Sequence, residues 1–151
     1  MKLFNLTEFM GELAPGARLL GLDPGGKRIG VALSDVGRRI ASPYAVLARA
    51  KLKQNAAEVA AIAAKEGVGG LIIGLPLDEM GRSAQGARDW AHAMALATGL
   101  PAAMVDESFT TADAHEHLIA AGMGRARRGE VIDKMAARAI LQAALDEMGR
   151  M

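Results

Sequence analysis

Two apolar runs, 19–22 and 29–33, flank Pro24-Gly25-Gly26, a pattern that predicts a β-hairpin. In the first run Leu20 and Leu22 alternate onto one face, and Leu19, Gly21 and Asp23 onto the other. In the second, Ile29, Val31 and Leu33 share a face, while Gly30 and Ala32 leave the opposite face thin. Proline fixes φ in the turn, and the glycines are expected to supply positive φ. Residues 39–47 read as a third strand, shortened by Pro43 because proline is confined to strand ends and edges. Residues 52–66 carry a narrow stripe of Ala56, Val59, Ala60 and Ala63 and stop at Gly67, which predicts a helix. The run Gly70-Leu71-Ile72-Ile73-Gly74 is apolar on both faces, the mark of a buried parallel strand.

A polar loop over 75–83 then leads to a helix at 83–97, with Trp90, Met94 and Ala97 on one side. Residues 102–107 form a strand ending in Asp106-Glu107. Residues 110–121 form a helix with capping-box spacing between Thr110 and Asp113. A basic, glycine-flanked loop at 123–129 precedes the last helix, 130–148. Ahead of the hairpin, 7–13 predict a short amphipathic helix capped by Thr7 and ended by Ala14-Pro15-Gly16. The order is three strands, helix, strand, helix, strand, helix, helix. It predicts an α/β fold: a mixed five-stranded sheet, three antiparallel N-terminal strands followed by alternating helix and strand, flanked by helices. With 151 residues the chain is expected to form one domain over 18–151, preceded by an N-terminal extension at 1–17 whose short helix docks on it.

Composition narrows the function classes. No cysteine is present, which excludes disulfides, thiolate metal sites and thiol nucleophiles. No apolar run is long enough to span a membrane, and the first residues lack the basic and apolar regions of a signal peptide. The expectation is a cytoplasmic protein without a membrane partner. The net charge is +1, so any basic surface for nucleic acid has to be local. The aromatics, Phe4, Phe9, Tyr44, Trp90 and Phe109, are too sparse for a base-stacking platform.

The acids carry the chemistry. Sheets of this type place their sites beyond the carboxyl ends of strands. Asp23 ends the first strand, Glu107 the last, and Asp133 falls in the first turn expected for the final helix. Ala136, Ala137 and Ile140 share the face of Asp133, so that helix can approach the sheet closely. Of the neighbours Asp106 and Glu107, which point to opposite faces, Glu107 alternates with Ala103 and Val105 and is chosen. Each acid has an ordinary explanation: a turn aspartate, a surface strand end, a helix N-terminal acid favoured by the dipole. Three carboxylates converging from three elements repel one another unless they bind cations, and a carboxylate-only set suits Mg²⁺ or Mn²⁺. His115 and His117 stand two apart on a helix and cannot chelate one ion, and His92 has no partner in the sequence pattern. Arg125, Arg127, Arg128 and Lys134 bracket Asp133, and Lys27 and Arg28 follow Asp23. A charge run is most often a solvated face, but these positions are where a phosphate backbone would pass.

These residues resemble a known family. The stretch 20–35, with Gly21-Leu22-Asp23-Pro24-Gly25 and Arg28-Ile29-Gly30-Val31-Ala32, resembles the opening motif of the YqgF family, also called RuvX. Gly74-Leu75-Pro76-Leu77 with Gly81 is similar to its middle motif. Asp106-Glu107-Ser108-Phe109-Thr110-Thr111-Ala112 is similar to its Asp-Glu-Arg…Thr-Thr motif, and Ile132-Asp133-Lys134-Met135-Ala136-Ala137 to its closing helix. The resemblance implies a ribonuclease H-like fold related to Holliday-junction resolvases. It also implies a bacterial cytoplasmic nuclease that matures the 5′ end of pre-16S rRNA, with Asp23, Glu107 and Asp133 as its catalytic acids. Ser108 departs from the family's usual arginine: if that arginine touches the scissile phosphate, this chain has lost the contact or supplies it from elsewhere, for example from Arg125 or Arg127.

The leading expectation is a Mg²⁺- or Mn²⁺-dependent endonuclease on structured RNA, with pre-rRNA or a ribosomal particle as partner and a monomer or homodimer as its state. The alternatives are a resolvase of four-way DNA junctions and a non-catalytic RNA-binding module of the ribosome or transcription machinery. The hairpin also resembles the phosphate-binding turn of actin-like ATPases and sugar kinases, but the chain is short for their two-lobed cleft.

Overall fold

Alternation of apolar residues sets the centre of the sheet. In a computed structural model, which describes residues 3–76, 85–106 and 125–151 (3–4 and 125–128 as backbone), the chain runs β1 (Leu3–Phe4), α1 (Leu6–Gly11), β2 (Arg18–Pro24), β3 (Arg28–Ser34), β4 (Ala41–Ala48), α2 (Leu52–Glu66), β5 (Val68–Leu75), α3 (Gln85–Thr98), β6 (Ala102–Asp106) and α4 (Arg125–Gly149). The sheet order is β1-β6-β5-β2-β3-β4. β2, β3 and β4 are antiparallel neighbours, whereas β5 joins β2 and β6 in parallel. These are the five expected strands. A sixth, the two-residue β1, adds to the far edge by pairing parallel with β6. A run that short carries no periodicity, so the sequence pattern does not announce it.

The hairpin pairs Leu22 with Val31, Asp23 with Gly30 and Pro24 with Ile29. Its turn differs from expectation, since neither Gly25 nor Gly26 has positive φ. Glycine is required there for space instead. The Gly25 N–H donates to the Arg28 carbonyl at 2.9 Å, and a Cβ on Gly25 would fall 2.9 Å from that same oxygen. The N-terminal helix also starts earlier than expected. Asn5, not Thr7, caps it by accepting the Glu8 N–H at 2.8 Å, and Phe9 buries completely.

Helices cover both faces. Leu20, Leu22, Ile29, Val31, Leu71 and Ile73 pack under α2 and α3, against Val59, Ala63, Ala91 and Met94. Leu19, Ala32, Ile72 and Ala103 pack under α4, against Ala137, Ile140, Leu141 and Ala144. Each large aliphatic chain buried here stabilises the fold by about 1.5–3 kcal/mol relative to exposure. Gly67 ends α2 in the left-handed conformation, φ 70°. Pro43 sits on the edge strand β4, whose ladder skips Tyr44 in a bulge between the pairs Val31–Ala45 and Ala32–Pro43. The buried Asn55 joins β4 to α2: it accepts the Ala50 N–H and donates to the Ala48 carbonyl and to Glu58.

The last helix corrects a boundary. Arg125, Arg127 and Arg128 were expected in a loop, yet all three lie in α4, and Gly129 lies inside it. Asp133 is therefore eight residues beyond Arg125, not in the first turn. The helix-dipole explanation for this acid fades with that distance, because the dipole acts within the first turn. The expected helix at 110–121 and residues 77–83 of the loop expected at 75–83 fall outside the described residues.

Candidate functional site

Small residues bring α4 down onto the hairpin. A Cβ built on Gly30 would collide with the backbone carbonyl oxygen of Asp133. One on Gly21 would lie 2.7 Å from Leu141 Cβ and 3.1 Å from the Ala137 carbonyl. One on Gly74 would run into the Ile140 side chain. The bare strand face expected from Gly30 and Ala32 is thus the seat of the helix. Because Asp23 is the antiparallel pair of Gly30, its side chain emerges on this same face, beside the helical turn that carries Asp133. Asp23 is half-buried at the end of β2. The register and the helix seat thus place both residues on the α4 face of the hairpin.

Glu107 lies outside the described residues, as does Ser108. The alternation that selected it is visible up to its neighbour: Ala103 and Val105 pack on the α4 side, whereas Asp106 ends β6 exposed. Among the described residues no cluster of three or more metal-binding side chains occurs. Asp23 and Asp133 alone supply two hard carboxylates on one face, and His92 is exposed.

Arg28 reaches across to α4. Its Nε lies 2.6 Å from Asp133 Oδ2, and its guanidinium rests on the helix at Gly129, where a Cβ would come within 2.6 Å of it. The ion pair is close but poorly aimed. Oδ2 is buried and, among the described residues, receives no well-directed hydrogen bond. A buried carboxylate oxygen left in this state suits a hard divalent cation better than an apolar wall. The donor chemistry therefore fits the Mg²⁺ or Mn²⁺ expected from the sequence. Lys27 is exposed at the turn, while Lys134 lines a groove of about 390 Å³ with Arg28, Val46, Ala48 and Glu130. Arg125, Arg127 and Arg128 lie in the helical turns that precede Asp133.

Sequence reasoning missed Arg49. Its side chain donates to the Gly25 carbonyl at 2.7 Å and lies over the Trp90 ring, 5.6 Å from the centroid, while its backbone N–H donates to the Lys27 carbonyl. It ties the turn beyond Asp23 to α3. A lone arginine after a strand gives no sequence signal of this.

Burial raises the Asp133 carboxyl above its ordinary value, although the Arg28 charge and contact pull it down. A raised folded-state value means that the folded chain holds this proton more tightly than the unfolded chain. The stabilising contribution is complete at low pH and is lost as pH rises from about 4 through the raised value. In protein stripped of divalent ions, Asp133→Asn should therefore gain stability relative to wild type between pH 4 and 7, measured by urea denaturation. A difference that stays constant with pH contradicts this environment for Asp133.

A family model described as RuvX, Holliday junction resolvase, matches residues 17–147. Curated relatives carrying the name "Putative pre-16S rRNA nuclease" include one from Acidiphilium cryptum, 54% identical over 97% of this chain and 94% of its own. Another, from Gluconacetobacter diazotrophicus, is 52% identical over 97% of each. Among solved structures, Thermus thermophilus RuvC in complex with a Holliday junction substrate superposes with a TM-score of 0.53 over 88% of this chain and 96% of that one, at 14% identity. That likeness establishes the ribonuclease H-type fold. Among the described residues no helix is long and apolar enough to cross a membrane. The family match over nearly the whole chain and relatives above half identity agree with the motifs and the fold: the chain belongs to the RuvX family, and with it to the nuclease-type hydrolases.

Proposed function

We propose that the protein is a divalent-metal-dependent endonuclease that cuts structured RNA during 5′-end processing of pre-16S rRNA. One observation supports this most: the turn carrying Asp133 is seated on Gly30, the strand partner of Asp23, with a buried carboxylate oxygen whose near neighbour is the Arg28 guanidinium. In this reading Asp23 and Asp133, with Glu107, hold Mg²⁺ or Mn²⁺. When bound, such an ion supplies the Lewis acid that lowers the pKa of water and stabilises the leaving oxygen. Asp23 is held by a strand end and Asp133 by a packed helix, so the carboxylates are positioned before the substrate arrives. The groove along β4 and α4 offers Lys134 to a passing phosphate, and the basic first turns of α4 extend that charge. The names carried by relatives more than half identical support the choice of RNA.

A second reading keeps the chemistry and changes the substrate to four-way DNA junctions. The family model's description favours it. Parallel assays on a precursor RNA spanning the 16S 5′ end and on a four-way DNA junction, each with Mg²⁺ and with EDTA, separate the two. We expect cleavage of the RNA that EDTA abolishes. Efficient junction cleavage with intact RNA would favour the second reading, and RNA binding without cleavage under any divalent ion would favour a non-catalytic module.

A further inference from the structure

Arg28 is the first residue of β3, and its backbone is fixed on two sides. Its carbonyl accepts the Gly25 N–H, and its position pairs with Ala48 of β4. Only the side chain is free to choose a partner. It reaches across to α4, laying the guanidinium on the bare backbone at Gly129 and setting Nε 2.6 Å from Asp133 Oδ2. Gly129 and Asp133 are four apart and so share one helix face. The side chain is 44% exposed, so little buried contact is lost if it leaves. It has somewhere to go, because Arg28 also borders the groove of about 390 Å³ that runs past Lys134.

We infer that Arg28 is the internal counter-ion of Asp133, which a divalent cation must displace, and that it thereby sets the metal affinity of the site. This rests on the reading of Asp133 as a metal ligand. The physical argument is competition for one carboxylate. A guanidinium neutralises the acid in the absence of metal, and an approaching Mg²⁺ or Mn²⁺ has to overcome that pairing before it gains the full attraction of Asp133. The ion pair is only partly buried, so the competition is modest and reversible. Gly129 permits the arrangement: any side chain there would lift the guanidinium off the helix, displacing the far end of a flexible arginine rather than the backbone. Arg28 is in this sense a positioning residue that acts through Asp133.

The test is Mn²⁺ affinity, read from the electron paramagnetic resonance signal of free Mn²⁺ in titrations of the full chain. Arg28→Gln should tighten Mn²⁺ binding about five- to tenfold. Arg28→Lys, which keeps the charge, should restore an affinity near that of wild type. Gly129→Ala is the independent variant, since alanine strengthens the helix while its methyl pushes the guanidinium away. It should tighten binding in the same direction with no loss of folding. Arg28 acting merely as a structural prop gives the opposite sign, because a mispositioned carboxylate binds metal more weakly. Affinity unchanged or weakened in both Arg28→Gln and Gly129→Ala overturns the inference while leaving the metal site itself standing. If Asp133→Asn binds Mn²⁺ as wild type does, the reading of the site falls, and this inference with it.

Discussion

Asp23→Asn should lower Mg²⁺-dependent cleavage of the precursor RNA by about 10²–10³-fold or more, the scale seen when a single electrostatic contact to a transition state is removed. Asparagine keeps the shape of the side chain, and the position is half-buried at a strand end, so stability should change by no more than about 1 kcal/mol. The loss would therefore be one of charge and ligation, not of fold. Asp106→Asn is the matched control. Asp106 also ends a central strand, but it is exposed and alternates away from Val105, which packs on the α4 side. Its substitution should leave the rate within about twofold of wild type, since its side chain alternates to the face opposite the one on which the cation is proposed. Equal rates for Asp23→Asn and wild type would remove Asp23 from the mechanism.

Gly30→Ala should be among the most damaging single-methyl changes in the protein, costing about 3 kcal/mol or more in urea denaturation. The new Cβ meets the carbonyl oxygen of Asp133, a backbone atom in the middle of a 25-residue helix. No side-chain rotation relieves a collision between two backbones, so α4 has to lift or the hairpin has to bend. Either movement separates Asp133 from Asp23, and Mn²⁺ affinity should fall along with stability. Gly26→Ala provides the comparison, because a Cβ there meets nothing within 4 Å. Should the two variants prove equally stable, α4 does not seat on Gly30 in the way described.

The elements with clear periodicity were legible in the sequence. The hairpin, α2 and β5 follow from alternation, from the alanine stripe and from a continuous apolar run, and Gly67 marks a helix end by its φ of 70°. The thin face of Gly30 and Ala32 was legible as a face, but not as the site of a helix, because contact between distant segments leaves no local pattern. The start of α4 departs from the sequence pattern for a physical reason. Glycines at 124 and 129 signal a loop by propensity, whereas Gly129 is held in the helix with the Arg28 guanidinium lying on it. β1 and the tie made by Arg49 depend on tertiary placement alone. The pairing of Arg28 with Asp133 joins residues more than a hundred positions apart. Charge counting placed Arg28 with the nucleic-acid contacts, and only the packing of α4 on the hairpin shows its acidic neighbour.

In the proposed site, Gly30 lets Asp133 sit beside Asp23 so that both carboxylates hold a divalent cation. An anomalous difference map from crystals soaked in Mn²⁺ tests it most directly. A Mn²⁺ peak is expected within about 2.0–2.3 Å of carboxylate oxygens from both Asp23 and Asp133, with the Arg28 guanidinium displaced from Oδ2. Saturating Mn²⁺ that binds elsewhere, with Arg28 still paired to Asp133, would contradict it.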